Sequence, residues 1–157
     1  MEARKLEPCQ RMTADFLLQE IDSQRVIFSA GQEVFSRRDW ADSVFFISQG
    51  SVEISISGIT IAILFGGDWF GEHCLGQHEY RQNSATALEE TTLIRIEKED
   101  MLGAFRTIPN LRGVFVANLI RQQQALVFLL EVKLARDSVS TISAFADTCD
   151  NQDDPSR

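Results

Sequence analysis

The chain has 157 residues, of which 44% are hydrophobic, and carries a formal net charge of −8. A chain of this length forms about one domain, with a core large enough to fold without disulfides or metal. The acidic balance argues against direct binding of nucleic acid, because affinity for phosphate backbones requires clustered Lys and Arg.

The N-terminal segment, residues 1–25, is predicted to contain a short amphipathic helix from Thr13 to Ile21. Thr13 is the predicted N-cap, since a Thr side chain accepts a hydrogen bond from the first free backbone amides. The apolar positions of this helix are Phe16, Leu17, Leu18 and Ile21. We expect their side chains to pack against the sheet that follows.

From Val26 to Ile96, short apolar runs are separated by glycines at hairpin spacing, which is typical of an all-β body. The clearest pair of strands is a hairpin with its turn at Ser57-Gly58. Apolar residues alternate on both arms, with Val52, Ile54 and Ile56 on the first and Ile59, Ile61, Ile63 and Phe65 on one face of the second. Further strands are predicted over residues 44–50 and 92–96. Together they predict a double-stranded β-helix, or jelly roll, over residues 26–109.

One motif lies in the longest interruption of this β pattern. Glu72 follows Gly71 and stands nine residues before Arg81. A carboxylate accepts hydrogen bonds from sugar hydroxyls, and a guanidinium donates a fork of hydrogen bonds to a phosphate. The glycine allows backbone amides to approach an anion, and residues 72–76 are predicted to form a single helical turn facing it. The motif therefore indicates a receptor for a phosphorylated sugar.

This segment resembles the phosphate-binding cassette of cyclic nucleotide-binding domains. The chain around it, from about Val26 to Phe105, resembles the CRP/FNR family of bacterial transcription regulators. The resemblance implies that Glu72 holds the ribose 2′-hydroxyl and that Arg81 holds the cyclic phosphate. The expected ligand is a cyclic nucleotide, with a weak preference for cAMP over cGMP. The other positions expected to line this site are Phe70, Gly71, Cys74, Leu75, Gln82, Asn83 and Gln122.

Two positions depart from the family pattern. Gln82 stands where the family often has Ser, Thr or Ala, and a long amide there would crowd or re-tune the pocket. His73 stands where an apolar residue is commoner. The motif is accordingly specific for the fold and only suggestive for the ligand.

A short helix is predicted from Glu97 to Phe105, ending ahead of Pro109 because proline restricts the residue before it. A longer helix over residues 110–136 has a seam with alternating steps of four and three residues, at Phe115, Leu119, Gln122, Leu126, Leu129 and Lys133. This spacing predicts a parallel homodimer, and the corresponding helix of the family forms the dimer axis. Residues 137–157 are acidic and predicted to be disordered. The family's winged helix-turn-helix is not expected here, so we expect no direct DNA binding.

The resemblance implies a non-enzymatic sensor domain of a CRP/FNR-type regulator, and three alternatives stay open. The first is a degenerate dimerisation or partner-binding module without a nucleotide. The second is a haem-type gas or redox sensor that uses Cys74 with His73 or His78. The third is a cupin-like metalloenzyme, disfavoured by having only two histidines, both in one loop.

Three widely spaced cysteines without a CxxC pair predict reduced thiols. No run reaches the ~18 apolar residues that a membrane span requires. The N-terminus leads into no apolar segment of the kind found in a secretory signal. We therefore expect a cytoplasmic protein that does not bind membranes.

Overall fold

The computed structural model describes residues 12–124, together with Glu131 and Ala135. Contacts divide the chain into two compact units, Met1–Ile120 and Arg121–Arg157. The described part contains the helices α1 (Ala14–Glu20) and α2 (Lys98–Thr107), and residues 111–124 are also helical (α3). Within these residues, no helix combines the length and the apolar character needed to cross a membrane.

Eight antiparallel strands form two four-stranded sheets in the described chain. The strands are β1 (Gln24–Phe28), β2 (Glu33–Phe35), β3 (Ser43–Gln49), β4 (Ser51–Ile56), β5 (Ile59–Phe65), β6 (Trp69–Phe70), β7 (Ser84–Ala87) and β8 (Thr91–Glu97). One sheet has the order β1-β8-β3-β6 and the other the order β2-β7-β4-β5. This arrangement confirms the predicted mainly-β jelly roll with flanking helices.

The predicted hairpin is confirmed as β4 and β5. Ser57 and Gly58 both have positive φ, 51° and 79°, which matches the twist that a two-residue hairpin turn requires. The cap of α1 is confirmed as well, because Thr13 Oγ1 accepts a hydrogen bond from Phe16 N at 3.2 Å. Local signals of spacing and capping therefore identified these two elements correctly.

Strand β3 separates two apolar layers, which explains why its sequence is apolar without alternation. Val44 and Phe46 belong to the core that α1, α2 and α3 cover. Phe45, on the opposite face, stacks on Phe70 with ring centroids 5.1 Å apart. Because both faces of β3 are buried, packing holds its backbone in place and thereby fixes the positions of the residues at its ends.

The end of α2 and the outer face of α3 differ from the sequence prediction. Helix α2 continues to Thr107, and Ile108, the residue before the proline, is extended. On α3, Phe115 and Leu119 pack against the core of the same chain, whereas Val116 and Ile120 are exposed. The first two residues of the predicted dimer seam are therefore buried within the chain itself. The spacing of apolar residues identifies an apolar helix face, but it does not show whether the same chain or a partner covers that face. Gln122 lies in the second unit, and Leu126, Leu129 and Lys133 lie outside the described residues.

Candidate functional site

The cassette begins on a strand whose position is fixed by β3. In β6, Phe70 is paired with Phe45 and Trp69 with Phe46. The next residue, Gly71, adopts φ 75° and ψ 11°, a left-handed conformation that costs a residue with a Cβ about 1–2 kcal/mol. This bend directs the chain into a 3₁₀ turn over Glu72–Leu75, which confirms the predicted single helical turn.

Arg81 is the buried charge of this site, with only 5% of its surface exposed. Its Nη1 donates to the carbonyl oxygen of Gly71 at 3.2 Å. Its Nη2 donates to both the carbonyl oxygen and the Oγ of Ser43, at 2.8 and 3.1 Å. The guanidinium carbon lies 4.1 Å from the centre of the Phe35 ring, a cation–π distance. The side chain is thus held from several directions.

Ser43 connects this guanidinium to a carboxylate. Its Oγ donates to Asp42 Oδ1 at 2.9 Å, so its single hydroxyl proton is committed to Asp42 and a lone pair accepts from Arg81. Asp42 also lies directly 3.8 Å from Nη2 of Arg81, but 46% of its side chain is exposed, so water screens that ion pair. Burial lowers the pKa of Arg81 from its ordinary value, which the negative charge of Asp42 partly opposes.

The Nε of Arg81 is buried and has no hydrogen-bond partner. A guanidinium has five N–H donors: the bonds to Gly71 and Ser43 use three of the four on Nη1 and Nη2, and the one on Nε has no partner. A buried donor without a partner costs about 1–3 kcal/mol, more when the group is charged. An anionic oxygen that reached Nε would satisfy this donor.

Cys74 is part of the hydrophobic core rather than an exposed ligand. It has no exposed surface and belongs to the same cluster as Trp69 and Phe46. Burial raises the pKa of its thiol to about 11, and the positive charge of Arg81 opposes this. The thiol is therefore protonated at neutral pH and a poor nucleophile. Within the described ranges, no group of three or more metal-binding side chains occurs.

The structure brings some predicted site residues together and separates others. Gly71 and Arg81 are in direct contact, and Phe70 lies beneath them through its stack on Phe45. Glu72, Leu75 and Asn83 are half-buried in or near the cassette. Gln82 is exposed, and its Nε2 donates to the carbonyl oxygen of Tyr80 at 3.0 Å. Its amide therefore makes no contact with the guanidinium, and the expectation that it crowds or re-tunes the ligand pocket stays a prediction.

Sequence reasoning did not identify Phe35, Asp42 or Ser43 as parts of this site. All three contact Arg81 across long sequence separations, 38 residues in the case of Ser43. The available signal was the pair Asp42-Ser43 at the start of the apolar strand β3, since polar residues at the end of a doubly buried strand lie beside its core.

The cassette also contacts α3 through an aromatic side chain. Trp69 is fully buried, and its ring meets that of Phe115 edge to face at 4.9 Å and 85°. It packs against Phe46 as well, at 5.1 Å. Because Trp69 is two residues from Gly71, a displacement of the cassette backbone would reach α3 at Phe115.

Comparison with known proteins gives consistent results. The family model described as the cyclic nucleotide-binding domain matches residues 25–107. The chain is 29% identical over 126 residues to the cyclic AMP receptor protein of Thermus thermophilus, covering 74% of this chain and 58% of that protein. It is 32% identical to a cGMP-dependent protein kinase of Toxoplasma gondii, covering 66% of this chain and 10% of the kinase. The chain thus spans little more than half of one relative and a tenth of the other.

Solved structures agree with the sequence relatives. The Thermus thermophilus catabolite activator protein superposes with a TM-score of 0.57 at 29% identity, covering 80% of this chain and 58% of that one. The regulator CLP of Xanthomonas campestris superposes with a TM-score of 0.63 at 20% identity, covering 72% and 57%. At 20% identity, the likeness to CLP shows only that the two proteins share a fold.

Proposed function

Because the chain belongs to the cyclic nucleotide-binding domain family, we propose that it binds a cyclic purine nucleotide, cAMP in the first instance. The cyclic phosphate is bound by Arg81 and the ribose 2′-hydroxyl by Glu72. Gly71 supplies the backbone bend that holds these two residues on one loop. The likeness to a cyclic AMP receptor protein supports cAMP as the first ligand to test.

One observation carries this proposal: the buried guanidinium of Arg81 has an Nε without a partner. An arginine that served only to hold the fold would be expected to have its buried donors satisfied, because most buried polar groups are. A phosphate oxygen supplies both the missing acceptor and the opposite charge, and a charge-assisted bond of this kind is about twice as strong as a neutral one. The same oxygen would offset the desolvation of the guanidinium.

The proposed role is that of a sensor domain in a CRP/FNR-type regulator. Nucleotide binding would change the hydrogen bonds of Arg81, and the contact of Trp69 with Phe115 would transmit the change to α3. Such a switch operates only if the nucleotide binds one arrangement more tightly than the other. The likeness to the Thermus thermophilus catabolite activator protein supports this role.

A thermal-shift titration with cAMP, cGMP and cyclic dinucleotides tests the binding proposal. Ligand at one hundred times its dissociation constant adds about 2.7 kcal/mol of stability, which a melting curve resolves. Arg81→Lys keeps the charge but removes the fork of donors, and Glu72→Gln removes the ribose acceptor charge, so both should reduce the shift. Arg95→Lys is the matched control, because Arg95 also contacts Asp42 but lies outside the cassette. Wild-type protein without a shift for any nucleotide would refute the proposal.

A homodimer through the helix of residues 110–136 also forms part of the proposal, with a seam that differs by one residue from the predicted one. Val116 and Ile120 are 45% and 53% exposed on α3. In the sequence, steps of three and four residues from Ile120 reach Gln123, Val127, Leu130 and Leu134. Ile120→Lys should therefore convert a dimer to a monomer in sedimentation velocity, and an unchanged mass would exclude this seam.

A further inference from the structure

A cavity of about 310 Å³ lies where the chain enters β3 and where it passes from β8 into α2. Its lining consists of Trp40, Ala41, Asp42, Glu79, Glu97, Lys98 and Glu99. Backbone hydrogen bonds join its walls. Ala41 N donates to the carbonyl oxygen of Glu79 at 2.8 Å, and Lys98 N donates to that of Asp42 at 2.8 Å. The three segments that form this cavity, called here the Trp40 cavity, are therefore tied to one another by the fold.

An exposed pair of aromatic rings belongs to this cavity. Trp40 is 61% exposed, and its ring meets that of Tyr80, which is 52% exposed, edge to face at 5.6 Å and 89°. The backbones of the two residues form a β-bridge, which fixes the pair. Among aromatic side chains, the indole face of Trp is the strongest partner for a cation. The pair therefore offers a cation a preformed aromatic surface.

Negative charge predominates in the lining of the Trp40 cavity. Four carboxylates face one ammonium group, that of Lys98. Arg95 contacts two of these carboxylates from outside the lining. Within the part of the chain that the structure describes, no cation pairs with Glu79 or Glu99. The positive end of the α2 dipole, equivalent to about half a charge, does not cancel the two that are left. The cavity therefore favours a cationic occupant.

The chemistry of the Trp40 cavity fits a guanidinium better than an ammonium group. A guanidinium stacks on an aromatic face and donates a planar fork of hydrogen bonds to carboxylates, whereas an ammonium group is a compact point charge. The volume is at the lower end of the range of small-molecule sites, about 300–1,000 Å³, and suits a single side chain. The net charge of −8 attracts a basic protein over a longer distance.

We propose that the Trp40 cavity is a docking site for an arginine side chain of a basic partner protein. The guanidinium lies against the indole of Trp40 and donates hydrogen bonds to Glu79 and Glu99. Tyr80, which lies outside the lining, extends the aromatic surface to the residues that flank the arginine. Docking uses no group of the nucleotide and none of the hydrogen bonds of Arg81, so it is a function additional to nucleotide binding.

Two-dimensional NMR of ¹⁵N-labelled protein tests this proposal, because the chain has only two tryptophans and each gives its own indole signal. Trp40 is exposed, and Trp69 is fully buried. The probe is the peptide acetyl-Gly-Arg-Gly-amide, added without nucleotide. We expect a saturable shift of the Trp40 signal and an unchanged Trp69 signal, which also reports that the fold is intact. The same peptide with citrulline has an uncharged urea in place of the guanidinium, and should leave the Trp40 signal in place.

Two double variants that remove the same net charge separate the cavity from the long-range field of the protein. Glu79→Gln with Glu99→Gln should weaken the affinity for the arginine peptide about fivefold, because two exposed charge contacts are lost. Glu20→Gln with Glu33→Gln is the matched control, since both residues are exposed and lie outside the lining. This control should keep the wild-type affinity. An equal loss in both double variants would overturn the proposal.

Three other results would also overturn the docking proposal. They are an arginine peptide that gives no saturable shift at Trp40, a citrulline peptide that gives an equal shift, and a lysine peptide that binds as tightly as the arginine peptide. The last result would show attraction between charges without recognition of a guanidinium. Because every titration omits nucleotide, a failure here leaves the nucleotide-binding proposal standing.

Discussion

Replacing Gly71 with Ala tests whether the cassette backbone and Arg81 act as one unit. The left-handed conformation alone costs a non-glycine residue about 1–2 kcal/mol. The added Cβ would also lie 2.7 Å from Nη1 of Arg81 and 3.3 Å from the carbonyl oxygen of Ser43. Arg81 is buried, so moving away breaks a charge-assisted hydrogen bond, worth about 1.5–3 kcal/mol. We expect the free energy of unfolding to fall by about 2.5–5 kcal/mol in total.

Urea denaturation followed by circular dichroism measures this loss, and Gly67→Ala is the matched control. Gly67 has φ 95°, and no atom lies within 4 Å of the position of its added Cβ. This variant therefore has the backbone strain without the clash, and should lose only about 1–2 kcal/mol. The difference between the two variants, about 1.5–3 kcal/mol, is the contribution of the contact with Arg81.

A double-mutant cycle with Arg81→Leu identifies the origin of this difference. Leucine fills part of the space beside Phe35 but has no atom equivalent to Nη1, so the excess cost of Gly71→Ala should largely disappear. Equal losses for Gly71→Ala and Gly67→Ala in the wild-type chain would refute the reasoning. An excess that persists unchanged in the Arg81→Leu chain would refute it as well.

Two further predictions concern residues around Arg81. Ser43→Ala removes the hydroxyl that links Arg81 to Asp42. Isothermal titration calorimetry should show roughly tenfold weaker nucleotide binding, which is the equivalent of one charge-assisted bond. An unchanged affinity would contradict this role of Ser43. Because burial raises the pKa of Cys74 from 9.0 to about 11, the folded state retains a proton that the unfolded state releases in this window. The free energy of unfolding should therefore fall as the pH rises from 9 to 11, by up to about 2–3 kcal/mol more in the wild type than in Cys74→Ala. Urea denaturation at each pH measures it, and parallel pH profiles of the two proteins would disprove the prediction.

The parts of the fold that the sequence predicted are those with a local physical signal. Strands β4 and β5 alternate over 6 and 7 residues around a turn that requires positive φ. Strands β2, β6 and β7 have only 3, 2 and 4 residues, too few to establish a period, and were not predicted. Their positions are set by pairing with distant strands, for example Phe70 with Phe45.

The candidate site shows the same division. Gly71 and Arg81 were predicted because the bend and the charge are properties of the residues themselves. Ser43 and Phe35 were not, since their contacts with Arg81 depend on how the two sheets close. Arg81 is buried and the adjacent Gln82 is exposed, and whether the amide of Gln82 re-tunes the nucleotide site stays a prediction.

The geometry of Arg81 also sets the size of any signal that it could transmit. The guanidinium holds the carbonyl of Gly71, two residues from Trp69, whose ring packs against Phe115. An anion that drew Arg81 away would release this carbonyl and with it one charge-assisted hydrogen bond, worth about 1.5–3 kcal/mol. A difference of this size between two arrangements shifts their ratio by roughly ten- to a hundredfold, which is enough for a sensor whose inactive state is only modestly favoured. The strength of the hydrogen bond between Arg81 and Gly71 therefore sets how strongly nucleotide binding could shift the ratio between two arrangements of α3.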